Sequence, residues 1–247
     1  MPESPSITIE SNYLSDCSYL AGTDEVGRGP LAGPVVAATV MASGQLSDQS
    51  FSEYLNYLQT LGVTDSKKLS HKRRQKILTQ LNLTTANLQV GQKLILLEKQ
   101  KFTIYFALAE ISPLIIDQIN ILNAALLAMS ESFLTCWQPE EHLMESNSKK
   151  GVLLVDGQYP PPNIPPMVAV YPTIRGDSKS QLIALASIIA KEFRDHLMGE
   201  MAKLYPDYGF EKHAGYPTKY HKEALTQKGV LPIHRKSFKG VSQLVTK

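Results

Sequence analysis

Gly22-Thr23-Asp24-Glu25-Val26-Gly27-Arg28-Gly29-Pro30-Leu31-Ala32-Gly33-Pro34 is the stretch around which the chain is organised. Two adjacent carboxylates, a glycine-flanked arginine and a tight turn stand between apolar segments 19–21 and 35–41, which read as strands. Carboxylates at the end of a strand suit a hard cation such as Mg²⁺. Glycines admit a ligand close to backbone N–H groups, and an arginine meets an anion. Together these are the equipment of phosphoryl transfer. The competing reading is a plain hairpin turn whose Asp24 and Glu25 are solvated, and the stretch by itself leaves both open.

Outward from this turn, 18–23 and 34–41 form an expected antiparallel pair. Segment 43–60 is polar and reads as a loop with a short helix. Thr64-Asp65-Ser66-Lys67-Lys68-Leu69-Ser70 then leads into a charged helix to about Leu81, with Ser70 as its N-cap. Ser66, Lys67 and Lys68 carry hydroxyl and ammonium donors suited to phosphate oxygens, or else simply precede a surface helix. Segments 87–97 and 102–109 are β-prone. Ser112-Pro113 opens one helix in which Leu114, Ile115, Ile119, Leu122, Leu126 and Met129 recur at helical spacing as a buried stripe, with Asn120 and Asn123 inside it. Segment 140–150 reads as a polar surface excursion.

Segment 151–155 is a compact apolar strand ending at Asp156-Gly157, where open α/β sheets place ligands. The proline-rich 159–166 must leave the sheet, because proline cannot donate to a ladder. Another short strand follows at 168–171. Gly176-Asp177-Ser178 precedes a helix from about Gln181 to Leu204, for which Asp177 would also serve as an N-cap. Asp195 lies 18 residues beyond Asp177, roughly 27 Å along a continuous helix. The two cannot share one metal cluster, and Asp195 is better placed to pair with Lys191. The candidate acids are therefore Asp24, Glu25, Asp156 and Asp177. Side-chain alternation along a regular strand separates Asp24 from Glu25, so a bend, the longer glutamate arm or a carbonyl ligand would be needed to unite them.

The chain has 247 residues, 43% of them hydrophobic, enough to bury a sizeable core. No basic start with an apolar core opens it, the longest apolar run, 182–190, is too short to span a bilayer, and a cytoplasmic location is expected. Cys17 and Cys136 suggest neither a disulfide framework nor a zinc site. A formal charge of +2 does not by itself argue for nucleic acid. Its distribution says more: Lys67, Lys68, Lys72, Arg73, Arg74 and Lys76 crowd one segment, and Lys212, Lys219, Lys222, Lys228, Arg235, Lys236 and Lys239 another. Such runs are commonly solvated helix faces, yet two of them beside clustered carboxylates fit a polyanion cut at a metal centre.

Asp-Glu-Val-Gly-Arg-Gly-Pro-Leu-Ala-Gly-Pro-Val at 24–35, Asp-Ser-Lys-Lys-Leu-Ser at 65–70, Asn-Ile-Leu at 120–122, Leu-Val-Asp-Gly at 154–157, Gly-Asp-Ser at 176–178, Ala-Ser-Ile-Ile-Ala-Lys at 186–191 with Arg194-Asp195, and the Tyr-Gly-Phe…His-x-Gly-Tyr-Pro-Thr pattern at 208–218 resemble ribonuclease HII. The match runs in order from about residue 18 to 240. It implies an α/β fold of ribonuclease H type, a mixed central sheet flanked by helices with a C-terminal helical region. The domain organisation expected is a flexible tail at 1–17, a catalytic domain at 18–204 and a basic helical region at 205–247 packed on it. The activity implied is endonucleolytic cleavage of RNA in RNA–DNA hybrids and on the 5′ side of single ribonucleotides in duplex DNA, leaving 5′-phosphate and 3′-hydroxyl ends.

Carried over position by position, the resemblance makes Asp24, Glu25, Asp156 and Asp177 the catalytic acids, holding two Mg²⁺ or Mn²⁺ ions. Gly27, Arg28 and Gly29 read the 2′-hydroxyl, Ser66 and Lys67 contact the substrate, and Tyr216 packs on the sugar at the RNA–DNA junction. Gln158 stands where the family commonly has asparagine. The expected partners are RNA–DNA hybrid and ribonucleotide-containing duplex, with no membrane, for a monomeric enzyme. Gln243-Leu244 bears a slight resemblance to a sliding-clamp-binding tail, on two residues only. The rivals are ribonuclease HIII, disfavoured because about twenty residues precede the first strand, a noncatalytic hybrid-binding protein, disfavoured by the four acids, and a serine–lysine hydrolase lacking an oxyanion site.

Overall fold

Strands β1 (Tyr19–Val26) and β2 (Val35–Gly44) pair antiparallel around the opening turn, from Tyr19 opposite Ser43 to Val26 opposite Val36. The structure, a computed structural model, describes residues 8–15, 17–137 and 151–245. Four further strands complete a six-stranded mixed sheet: β3 (Leu94–Glu98), β4 (Phe102–Ile111), β5 (Gly151–Asp156) and β6 (Val168–Thr173). The order is β3-β4-β2-β1-β5-β6, antiparallel from β3 to β1 and parallel from β1 through β5 to β6.

Period-two alternation divides the sheet's side chains between two cores. Leu20 of β1, Val36, Ala38 and Val40 of β2, Ile104 and Phe106 of β4, and Leu154 of β5 face one side. Helices α1 (Gln49–Thr60), α2 (His71–Gln80) and the first half of α5 (Gln181–Leu204) cover them. Ala21, Val35, Ala37, Ala107, Leu153 and Val155 face the other side, under α4 (Ile121–Cys136) and Trp137. A third cluster joins Leu31 and Ala32 to Met198, Phe210, Leu225 and Val241, and so seats α6 (Lys219–Lys228) and its neighbours on the opening turn.

Four expectations change. The single helix from Pro113 is two, α3 (Pro113–Ile119) and α4, bent by 120° at Asn120. Asn120 takes φ 66° and its side chain caps α4 by accepting from the N–H groups of Leu122 and Asn123. The expected stripe holds in part: Met129 is buried and Ile115, Ile119 and Leu126 pack on the core, but Leu114 is exposed and the break adds Ile116, Ala124, Ala125, Ala128 and Phe133 to the buried face. In segment 43–60, most of what read as loop is the twelve-residue helix α1, capped by Asp48. In 87–97 only Leu94–Glu98 is strand.

The tail expected over 1–17 is folded where it is described. Thr8–Ser11 forms a helical turn that buries Glu10 completely, its carboxylate accepting from the Ser180 hydroxyl and the Leu182 N–H at the start of α5. Unpaired donors at a helix N-terminus draw a carboxylate there. Residues 1–7 and the excursion at 138–150 lie outside the described residues. Among the described residues, no single helix is long and apolar enough to cross a membrane.

Candidate active site

Strand register brings the first two acids together. β1 and β5 run parallel with Thr23 beside Val155, so Asp24 and Asp156, the next residues, stand side by side where the pairing of the two strands ends. Both follow even-numbered neighbours, Leu20 and Leu154, whose side chains face the α5 side of the sheet. Gly22 lets α5 approach there: a Cβ on it would sit 2.4 Å from the Ile183 backbone nitrogen. The turn before that helix, Gly176–Ser178, supplies the third acid. Asp156 accepts from the Gly176 N–H at 2.7 Å, which ties the turn to β5. One carboxylate oxygen from each of Asp24, Asp156 and Asp177 lies within 4.8 Å of the others.

Burial is the largest influence on these acids. It raises the Asp24 pKa well above its ordinary value, and the charges of Glu25 and Asp156 add to the rise, against the Ser187 hydrogen bond and the Lys67 charge. Asp177 is raised to about 6 by burial, then by Asp156 and Asp65. Burial opposes the charge on Lys67, but Asp24, Asp177, Asp65 and Asp156 outweigh it and its pKa is raised. Lys67, Lys68 and Arg175 line a pocket of about 380 Å³ with Asp65, Asp156 and Asp177. Crowded carboxylates with this bias toward the proton are a donor set for hard divalent cations, which take oxygen ligands and remove the repulsion.

Beside this cluster the 27–34 loop is held by two buried guanidinium groups. Arg194 donates to the carbonyls of Ala32, Pro34 and Ala214, and Arg235 to those of Gly27, Arg28 and Gly33, all at 2.6–3.1 Å. Gly27, at φ 97°, leaves no room for a side chain, since a Cβ would meet Arg194 Nε at 2.3 Å. The Leu31 N–H donates to the Gly215 carbonyl, and the Tyr216 ring lies over Gly29, 3.3 Å from where its Cβ would be. Tyr216 is 42% exposed.

The model of the family described as Ribonuclease HII matches residues 21–241. The chain belongs to the ribonuclease HII family. Ribonuclease HII of Desulfotalea psychrophila is 40% identical over 226 residues, covering 92% of this chain and 83% of its own. Among solved structures, ribonuclease HII in the PCNA:RNase HII complex from Archaeoglobus fulgidus is 24% identical with a TM-score of 0.58, covering 89% of this chain and 95% of that one. Bst-RNase HIII in complex with Mn²⁺ is 14% identical with a TM-score of 0.60, covering 100% of this chain and 76% of that one. At these identities the likeness is one of fold.

A ribonuclease HII is a hydrolase, an endonuclease of the ribonuclease H type. In this member the structure gathers three of the four acids that its sequence singles out. Glu25 lies outside the trio. Odd-numbered on β1, it follows Thr23 away from the α5 face, and it pairs with Arg28 at 3.4 Å. Burial raises its pKa to about 7, with Arg28 opposing and Asp156 adding to the rise. Asp177 is not a helix cap, because Ser180 takes that role for α5. The Ser66 hydroxyl is buried and accepts from Ser187 at 2.9 Å, so it braces the site from within, whereas Lys67 is exposed beside the acids.

Several basic residues counted toward substrate binding are internal. Arg74 is buried against Glu192 and Asp195, at 2.6 and 2.9 Å, and Arg235 is fully buried. Asp65, Ser187 and Arg194 are the site's neighbours that sequence reasoning left without a role. Arg194-Asp195 stood in the quoted motifs, and a guanidinium there without an acid of its own was the available signal.

Proposed function

We propose that this ribonuclease HII cleaves the RNA strand of RNA–DNA hybrids and cuts on the 5′ side of single ribonucleotides in duplex DNA, leaving 5′-phosphate and 3′-hydroxyl ends. The observation that carries it is the Asp24–Asp156–Asp177 cluster standing next to a glycine loop capped by an exposed tyrosine. Asp24, Asp156 and Asp177 would hold two Mg²⁺ or Mn²⁺ ions, with Glu25 entering by its longer arm. Such ions supply an activated water and stabilisation of the leaving oxygen in an in-line displacement.

The chain's own residues account for binding and selection. Arg235 draws the Gly27 and Arg28 carbonyls inward. In a trans peptide the N–H opposes its carbonyl, so the Arg28 and Gly29 N–H groups point away from Arg235, as donors for a 2′-hydroxyl oxygen. The Tyr216 ring beside them covers the neighbouring sugar. Lys67, next to the acids, meets the phosphate. A sliding-clamp contact through Gln243-Leu244 would have to use Leu244 where it is partly buried on the C-terminal cluster; the PCNA complex of the Archaeoglobus fulgidus ribonuclease HII is what favours such a contact.

The test is cleavage of a labelled duplex containing one ribonucleotide, with Mg²⁺, Mn²⁺ or chelator, for wild type and Asp24→Asn. A metal-dependent cut 5′ to the ribonucleotide, absent in the variant, is expected. Binding without cleavage under either metal would favour a noncatalytic hybrid-binding protein instead.

A further inference from the structure

Three histidines are buried beneath Tyr216: His213, His221 and His234, with exposures of 9%, 0% and 1%. Their partners admit one arrangement of protons. His234 Nδ1 accepts from the Leu231 N–H at 2.9 Å, so its proton is on Nε2. That atom faces His221 Nε2 at 3.1 Å, and His221 Nδ1 faces the Tyr216 carbonyl at 3.0 Å. A carbonyl only accepts, so His221 carries its proton on Nδ1 and receives the His234 proton on Nε2. Donation runs one way, from Leu231 through His234 and His221 to Tyr216. Alongside, His213 stacks on His221 at 4.6 Å between centroids, accepts from the Gly215 N–H at 3.2 Å and donates Nε2–H to the Tyr208 carbonyl at 2.9 Å.

The chain begins in the segment that also braces the glycine loop. Ala32 bridges His234, the Gly33 N–H donates to the Ile233 carbonyl, and the Arg235 N–H to that of Leu31. The backbone of Tyr216 and the loop under its ring are thus referred to one frame. All three rings are neutral in this arrangement. Burial, then the neighbouring imidazole, lowers the His234 pKa to about 4, and burial lowers that of His221. The aromatic groups packed against them, Tyr208 on His234 and Tyr220 on His213, are phenols.

We propose that His221 and His234 are positioning residues for junction recognition, a directional pair of neutral imidazoles that fixes the Tyr216 carbonyl and thereby holds its ring over Gly29. This rests on the sugar-reading role of Tyr216 given above. The two nitrogens of His221 have separate tasks, and amide side chains separate them. Asparagine places its amide near Nδ1 and keeps a donor for Tyr216, whereas glutamine reaches Nε2 and loses it.

The experiment compares His221→Asn, His221→Gln and Tyr216→Ala with wild type, measuring kcat/KM on a single-ribonucleotide duplex divided by kcat/KM on a continuous hybrid, with Tm for each. His221→Gln and Tyr216→Ala should lower that ratio by about tenfold, and His221→Asn, which keeps the donor to Tyr216 and loses only the link to His234, by about threefold, although both His221 variants lose similar Tm. Equal ratios for the Asn and Gln variants overturn the proposal. His234→Asn removes the second link from outside α6 and should lower the ratio by about threefold, the first link remaining. Should the His221 variants not fold, an unchanged ratio in His234→Asn overturns the proposal by itself. Wild type that never cuts the single ribonucleotide, or Tyr216→Ala with an unchanged ratio, would instead remove the Tyr216 reading on which it rests.

Discussion

Asp24 and Asp156 meet because each is an even-numbered residue on one of two parallel neighbours, one step past the last paired residues Thr23 and Val155. A shift of one residue in either strand would turn its carboxylate to the opposite face. Asp177 reaches them from a turn, and its placement depends on the Gly176 N–H donating to Asp156. Asp177→Asn keeps the shape and removes the charge, and should reduce cleavage by at least ~10³-fold with little change in hybrid affinity. Single-turnover rates and a filter-binding titration check this, and retained turnover would take Asp177 out of the catalytic set. Lys67 lies beside all three acids but is exposed. Lys67→Ala should weaken binding and reduce the slope of log affinity against log salt by about one contact. An unchanged slope would return it to the solvated surface.

The element on which the proposed recognition depends is the 27–34 loop, and its stiffness comes from Arg194 and Arg235. Five of its carbonyls end on these two side chains, which no regular structure would otherwise satisfy. Arg235→Met leaves the buried carbonyls of Gly27 and Gly33 and the half-buried one of Arg28 without donors and should cost about 2–5 kcal/mol, seen as a lower denaturation midpoint, with loss of single-ribonucleotide cleavage. A variant of normal stability and activity would assign the loop's order elsewhere. This device was hidden from sequence reasoning, because charge counting treats every arginine as a surface group. What was legible follows from period and punctuation. The β1 and β5 runs, the Ser70 cap and the 24-residue α5 all carry local signals, whereas the cap of α5 is Ser180 and not the expected Asp177. The break at Asn120 does not, since helical spacing continues through it and only the positive φ reveals two helices. Glu10 was equally silent: its partners, Ser180 and Leu182, are 170 residues away in sequence.

At the scale of the whole molecule, the acid cluster and the histidines load stability in opposite directions with pH. Acids whose pKa is raised by folding stabilise the protein below their unfolded values, and that contribution is lost as pH rises through the folded ones, about 6 for Asp177 and about 7 for Glu25. His234, lowered to about 4, does the reverse: its contribution is present above about 6.5 and is lost as pH falls toward 4. The two windows overlap and the raised acids outnumber His234, so in chelator the Tm of wild type should decline as pH rises from about 5 to 8, with His234 offsetting part of the fall. Asp24→Asn removes one charge from the cluster and should raise the Tm at pH 8 by roughly 2–8 °C, equivalent to about 1–2 kcal/mol. Divalent cations should narrow that gap, because their binding displaces the protons the cluster favours and stabilises only the folded state. The Tm gain on adding Mn²⁺ should be larger at pH 8 than at pH 5.5 in wild type, and small at both in Asp24→Asn. Thermal melts across pH with Mn²⁺ or chelator check this. Equal gains in the two proteins at pH 8 would mean that the cation is held somewhere other than at Asp24, Asp156 and Asp177.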